Sequence, residues 1–289
     1  ANEGIRPQTR EHFTALQAKQ VKNIIIVQNK IDLVSEEQAL ENYKKIKEFV
    51  KGTIAENSPI IPISAQQGIN MDILLEELNK LEVPKRDANA TPMFLVARSF
   101  DINKPGKEIK DLNGGVLGGI LKQGTLKVGD EIEIKPGLMI KKAGQVSYET
   151  LSTKILSLHK GTGKVNEVLP GASISIETSL DPFLTKTDSL IGCVASTKGS
   201  LPEISHKVKI KTKLFKKVMG SSKEEAVEPI RTKEMLMLNV NTTITVGTVV
   251  SIKGDEIELN LNIPIVALKD DNLGIARNIE GHWRLIGWG

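Results

Sequence analysis

The spacing of apolar residues changes period near residue 84, and this change limits the chain to a two-part architecture. Before it, apolar residues recur at three- and four-residue steps, broken by short continuous apolar runs. After the loop from Pro84 to Pro92 they alternate, with Gly-containing turns and no amphipathic repeat longer than a turn or two. Helices alternating with strands predict an α/β unit with a largely parallel sheet, and serial short strands predict β-barrels, because closure removes exposed strand edges. The predicted division is residues 1–84, 91–200 and 201–289, with the second break near Lys198–Glu203. Two similar phrases, Lys127–Ile134 and Lys253–Leu259, support successive β-domains: in each a Gly-Asp turn leads into a strand with alternating charged and aliphatic positions.

In the first part, Thr9 is expected to cap a helix through Phe13 and Leu16, with Pro7 just outside it. Asn23–Val27 contains the continuous run Ile24-Ile25-Ile26-Val27 that a sheet covered on both faces requires. Ser35 with Gln38 matches a capping box for a helix carrying Ala39, Tyr43, Ile46 and Val50 and stopped by Gly52. Ile60–Ile63 is a second strand, with Pro62 leaving its register open. Asn70 is expected to cap a helix with Met71, Leu74, Leu75, Leu78 and Leu81 before Pro84.

One cysteine, Cys193, forms no internal disulfide or multi-cysteine zinc site, and reads as a small core residue. The four histidines have no paired metal spacing, and His12 reads as a packing or capping residue. The sequence thus offers no metal ligands and no catalytic residue. The hydrophobic fraction of 39% and charged fraction of 26% exclude general disorder. No apolar run nears the ~20 residues of a membrane span, and no basic-then-apolar leader opens the chain, so a soluble cytoplasmic protein is expected.

The residues that carry chemistry follow the two strands of the first part. Asn29-Lys30-Ile31-Asp32 lies beyond the carboxyl end of the first, where ligands of α/β sheets sit. An ionised Asp32 can accept both the ring N–H and the exocyclic amine of guanine, a donor pair that adenine lacks. Lys30 can lay its aliphatic stem on the base, and Asn29 can tie neighbouring loops together. Alone, this tetrapeptide equally describes an exposed turn. Ser64-Ala65-Gln66, after the second strand, adds a turn whose backbone N–H can meet the guanine carbonyl and whose small residue admits the base. Two such loops in this order point to a guanine site.

With these loops, Pro7-Gln8-Thr9-Arg10-Glu11-His12 resembles the helix after the second switch of the elongation factor Tu-like translational GTPases. Three further segments, Lys51–Asn57, Arg98–Gly106 and His282–Gly289, resemble the gamma subunit of translation initiation factor 2 from archaea and eukaryotes. The resemblance runs from end to end and implies the C-terminal half of a P-loop-type GTPase domain followed by two β-barrels. It implies GTP or GDP as ligand, with Mg2+ in the complete protein. It further implies binding of initiator methionyl-tRNA by its acceptor end, delivery to the small ribosomal subunit, and a heterotrimer in which the alpha subunit docks on the first barrel and beta on the nucleotide domain. An elongation factor of the Tu or selenocysteine type would share the guanine loops but not Arg98–Gly106 or His282–Gly289. A non-enzymatic RNA- or protein-binding barrel module would make no use of nucleotide.

No phosphate loop accompanies these features. Gly106-Lys107 and Gly163-Lys164 are followed by Glu108 and Val165 instead of Ser or Thr. Asp111–Gly114 and Asp271–Gly274 have Asp-x-x-Gly spacing but fall among the strands and read as turns. The chain as given is therefore expected to lack the phosphate loop, both switches and the magnesium ligands, and not to hydrolyse GTP alone.

Two features could face RNA. Lys207, Lys209, Lys211 and Lys213 alternate with Val208, Ile210, Thr212 and Leu214, and Lys216, Lys217 and Lys223 follow, which suits either phosphates or an edge strand protected from aggregation. Gly114-Gly115-Val116-Leu117-Gly118-Gly119 resembles a first-barrel strand of the gamma family; its glycines suit either close approach of the tRNA end or of another backbone, or tight packing at a barrel corner. Pro170-Gly171-Ala172 and Ala276-Arg277-Asn278 depart from the Gly-rich and double-Arg segments usual in that family.

Overall fold

The computed structural model describes residues 1–19, 21–215, 218, 226–268 and 273–289; Lys216, Lys217, Lys223, Asp271 and Asn272 lie outside the described residues. The described residues form two compact units, one holding residues 1–84 and the other residues 85–215 and 226–289.

In the first unit, helix α1 (Pro7–Ala18) begins with Pro7 inside it, and Thr9 does not cap it. A proline at the first helical position loses only an N–H that would have had no partner. Strands β1 (Ile26–Gln28) and β2 (Ile60–Pro62) pair in parallel, Ile26 with Ile60 and Gln28 with Pro62. Helix α2 (Glu36–Val50) starts in the expected capping box: Ser35 Oγ accepts the Gln38 N–H at 3.3 Å, and Gln38 Oε1 accepts the Ser35 N–H at 3.1 Å. Gly52, at φ +72°, follows its end.

Helix α3 (Met71–Asn79) follows Asn70, which sits at φ +56° and makes no side-chain cap. The Asn70 Nδ2 instead donates to the Pro62 carbonyl at 2.8 Å, fastening the helix start to the end of β2. None of the residues of α3 is buried, and Ile73, Leu75 and Leu78 are exposed. The apolar positions that make it amphipathic thus lack a covering surface in this unit.

The second unit opens with β3 (Met93–Phe100), β4 (Val116–Gln123), β5 (Leu126–Lys127), β6 (Glu131–Lys142), β7 (Gln145–Lys160), β8 (Gly163–Val165), β9 (Glu167–Val168), β10 (Ser173–Thr178) and β11 (Val194–Thr197). Six of these form a closed ring in the order β10-β4-β3-β11-β6-β7, with β7 returning to β10. Phe94, Val96, Leu117, Leu121, Ile132, Ile134, Ile155, Leu158 and Ile176 fill the interior. Each such side chain contributes roughly 1.5–3 kcal/mol by leaving water. Cys193 is in this core, as expected, and burial pushes its thiol up to about 11. Pro136 falls where the β6–β7 register shifts, between Ile134 and Leu138, so no ladder N–H is lost.

The remaining strands are β12 (Ile204–Lys211), β13 (Lys213–Leu214), β14 (Met235–Val240), β15 (Thr243–Lys253), β16 (Glu256–Val266), β17 (Gly274–Ile279) and β18 (His282–Trp288). They form a curled half-barrel in the order β12-β16-β15-β14-β17-β18-β13. Its two outermost strands are consecutive in the chain, parted only by Thr212. Leu236, Leu238, Val249, Ile257, Leu259, Ile275 and Ile286 form its core. A third cluster, with Val194 from the barrel, Leu201 from the connection and Val266 from the half-barrel, joins the two sheets.

Two buried charges of β6 fasten the connection. Glu133 accepts the Leu201 N–H at 2.7 Å, and Lys135 Nζ donates to the Leu201 and Pro202 carbonyls at 3.2 and 3.3 Å and to Glu203.

Candidate nucleotide and RNA sites

The two loops of the expected guanine site lie side by side. The β-ladder continues past the strands: the Ile63 N–H donates to the Gln28 carbonyl at 2.9 Å, and the Ile31 N–H to the Ile63 carbonyl at 3.2 Å. Asn29 Oδ1 accepts the Lys30 N–H at 2.7 Å and the Ala65 N–H, from the other loop, at 3.2 Å. Asn29 is therefore the tie between loops that its amide chemistry suggested.

Lys30 stands in the left-handed region at φ +62°, sparsely used by residues other than glycine, and its ammonium is 4.0 Å from Glu3. Asp32 follows in the short 3-10 turn Ile31–Leu33, its side chain exposed. Ser64 is fully buried; its Oγ accepts the Gln67 N–H at 3.2 Å, and its backbone bridges to Ile69. Ala65 and Gln66 are exposed, and the Gln66 N–H has no acceptor among the described residues. Asn29 and Ser64 thus bond within and between the two loops, and Lys30, Asp32, Ala65 and Gln66 are exposed around them.

Behind these loops, Gln28 was not singled out from the sequence. It is buried, and its Nε2 donates to the Ala39 carbonyl at 2.8 Å and to Asn42 Oδ1 at 3.0 Å, pinning the end of β1 to α2. A polar residue directly after a continuous apolar run is the signal that could have revealed it. Phe13 packs against Phe49 with ring centroids 5.2 Å apart and tilted by 52°, and Arg10 lies 4.9 Å over the Phe49 ring, which fastens α1 to α2, whereas His12 is exposed.

Arg98–Gly106 organises two surface segments of the barrel. Asp188 accepts Arg98 Nε through both oxygens, at 3.0 and 3.1 Å, and the Ser99 N–H at 2.9 Å. Arg98 and the Ser99 amide hold the Asp188 carboxyl below the usual carboxylate range. Asn103 receives the Asn113 N–H and donates to the Asn113 carbonyl and to Asp101, closing the loop between them.

The two RNA-facing features are placed differently. At Gly114 a Cβ would stand 1.7 Å from the Thr178 carbonyl oxygen, and at Gly115 2.5 Å from Thr185 Cγ2. Both glycines therefore accommodate barrel packing. At Gly118 a Cβ would meet only ordinary van der Waals contacts, with Arg98 Cβ at 3.5 Å and the Phe100 ring at 3.6 Å.

Lys207, Lys209, Lys211 and Lys213 are exposed, and Val208 and Ile210 turn to the half-barrel core. Register pairs Lys209 with Glu258, Lys211 with Glu256, and Lys207 with the neutral Asn260. Lys213 Nζ lies 4.5 Å over the Trp288 ring. Opposite-charge cross-strand pairs offset each other, so Lys207 keeps more uncompensated charge than Lys209 or Lys211. Among the described residues no cluster of His, Cys, Asp or Glu could hold a metal ion, and no helix is long and apolar enough to cross a membrane.

The family model for the Elongation factor Tu GTP binding domain matches residues 1–84, and that for Initiation factor eIF2 gamma, C terminal, matches residues 206–289. A solved selenocysteine-specific elongation factor from bacteria superposes with a TM-score of 0.74 at 20% identity, over 99% of this chain and 43% of that one. Elongation factor SelB from Methanococcus maripaludis, in complex with a GTP analogue, superposes with a TM-score of 0.75 at 22% identity, over 99% and 62%. A partial GTP-binding domain followed by a β-barrel and a curled half-barrel is thus the architecture of a translational GTPase. The translation initiation factor 2 gamma subunit of Methanococcus vannielii is 52% identical over 285 residues, 98% of this chain and 70% of that protein. That of Pyrococcus furiosus is 51% identical, over 98% and 69%. The chain belongs to the family of translation initiation factor 2 gamma subunits.

Proposed function

We propose that the first unit recognises the base of GTP or GDP. Asp32 accepts the ring N–H and the exocyclic amine, Lys30 covers the base plane, and the N–H groups of the Ser64-Ala65-Gln66 turn meet the base carbonyl. The observation that carries this reading is the bond from the Ala65 N–H to Asn29 Oδ1, which sets the two loops against each other.

The chain by itself binds nucleotide weakly and does not hydrolyse it. Phosphoryl transfer depends on positioning and charge neutralisation around the phosphates, and no Gly-Lys-Ser/Thr loop is present in this sequence. The uncovered apolar residues of α3 support the reading that this unit is completed by further parts of a GTP-binding domain. On this reading magnesium enters with those parts.

The complete protein, on this reading, binds initiator methionyl-tRNA, joins alpha and beta subunits, and carries the tRNA to the small ribosomal subunit in the cytoplasm. The units for these tasks are residues 1–84, 91–200 and 201–289. In the last of them Lys207 is the foremost phosphate contact of its row.

Titration of the full chain with GDP, XDP and ATP, followed by NMR, tests the nucleotide reading. Xanthine carries a carbonyl where guanine carries its amine, and an Asn side chain can donate to it. Asp32→Asn should weaken GDP roughly 10–100-fold, as losing a charged hydrogen-bond pair of ~1.5–3 kcal/mol requires, and favour XDP. Absence of any guanine preference in the unaltered chain defeats the site. Tight, magnesium-dependent GTP binding defeats the statement that this chain lacks phosphate recognition.

A further inference from the structure

The half-barrel has a cleft of about 530 Å³ that neither the guanine loops nor the lysine row uses. Clefts of this size hold a drug-sized group. Arg277 forms part of its wall: Nε donates to Glu234, and the two terminal nitrogens donate to the Glu228 and Pro229 carbonyls at 2.9 and 3.2 Å. Arg277 and Glu234 are largely buried, with side chains 15% and 17% exposed. Glu234 also accepts the Arg231 N–H, and the Arg231 guanidinium pairs with Glu228 at 2.7 Å. Both carboxylates of the cleft are therefore already engaged.

What remains for a ligand is cationic and apolar. Lys233 lines the cleft and has no ion pair among the described residues. Its backbone is fixed at φ +67° by an N–H bond to the Val249 carbonyl. Met235, 60% exposed, and Trp283, 37% exposed, are the apolar lining residues. Exposed Trp, Met and Arg together mark protein interfaces, where a few such residues carry most of the binding.

We propose that this cleft binds an acidic segment of a partner protein, which lays one aromatic or large aliphatic side chain against Met235 and Trp283 and sets a carboxylate on Lys233. Three cations, Arg231, Lys233 and Arg277, face two carboxylates, so the lining has a net positive charge that complements such a segment. A nucleic-acid strand fits less well: it brings a phosphate at every residue, and Glu228 and Glu234 lie in the same lining.

The test uses the full chain and three fluorescein-labelled probes: the peptide Asp-Glu-Leu-Trp-Glu-Asp, the same peptide with Asn and Gln for its acids, and a decamer of uridylate, read by anisotropy. The acidic peptide should bind, and the amide peptide about tenfold more weakly. Lys233→Glu and Trp283→Ala should each cost the acidic peptide about tenfold, and a Lys-Lys-Leu-Trp-Lys-Lys peptide should favour the Lys233→Glu protein. Lys233 is exposed, so its substitution leaves the fold intact, as circular dichroism will verify. No peptide binding, binding indifferent to Lys233→Glu, or uridylate binding that Trp283→Ala abolishes while the peptide does not bind, would each overturn the proposal.

Discussion

Asn29 Oδ1 holds the backbone N–H of Ala65 at 3.2 Å across 36 positions of sequence. Together with the Ile31 N–H bond to the Ile63 carbonyl, this acceptor sets the spacing between the loop after β1 and the loop after β2. Asn29→Ala removes it without touching either strand. The Ala65 amide should then exchange with solvent faster in hydrogen-exchange measurements, and the unit should lose ~1–2 kcal/mol, because Asn29 Oδ1 accepts two N–H groups, Lys30 and Ala65, each ordinarily worth about 1 kcal/mol. Unchanged protection at Ala65 would show that the turn holds itself.

The barrel glycines give a paired comparison. Gly114→Ala places a methyl group 1.7 Å from the Thr178 carbonyl oxygen, and backbone must move to admit it. Overpacking of this kind costs ~1–3 kcal/mol and often more. Gly118→Ala meets nothing nearer than 3.5 Å and should change stability by at most a few tenths of a kcal/mol, which urea denaturation of both variants will measure.

Asp188 predicts an acid-side dependence. Its folded-state pKa is depressed, first by the Arg98 hydrogen bond and then by the Ser99 amide. A depressed carboxylate contributes stability that is present above its unfolded pKa, near 3.8, and lost as pH falls through the lower folded value. Asp188→Asn should therefore flatten the stability-against-pH curve below about pH 5, seen in urea titrations at pH 3 to 7, and leave its shape above that range unaltered.

For the lysine row, register sets an order. Lys207 faces Asn260, whereas Lys209 and Lys211 face Glu258 and Glu256. Lys207→Gln should weaken binding to a mixed-sequence RNA at low salt more than Lys209→Gln or Lys211→Gln, and lower the slope of log K against log salt by about one. Equal effects from all three would mean that cross-strand pairing does not temper the charge.

These cases also separate what is legible in a sequence from what is not. The capping box of Ser35 and Gln38 depends on residues three apart, and it forms as written. Asn70 has the same local credentials as a cap, but its side chain is drawn to the Pro62 carbonyl, a partner that exists only once β2 lies beside the helix start. Helical spacing likewise reveals α1 but sets Pro7 just outside it with Thr9 as its cap, whereas Pro7 is the first helical residue. That the loops after β1 and β2 are neighbours was legible because each follows its strand directly. Gln28 behind them, and the Asp188 partner of Arg98, were not, since both depend on contacts between segments far apart in the chain. The charge of the lysine row could be counted but not weighed, because Glu256 and Glu258 come opposite it only through strand register.

Glu133 and Lys135 grip main-chain atoms of Leu201 and Pro202, and among the described residues only one of these bonds, to Glu203, meets a side chain. Evolution can consequently rewrite the lettering of that short bridge with little penalty, yet adding or deleting a single residue there would slip every grip at once. Insertions among relatives should avoid this stretch and gather at hairpin tips such as Ala143-Gly144, where nothing counts the chain's length.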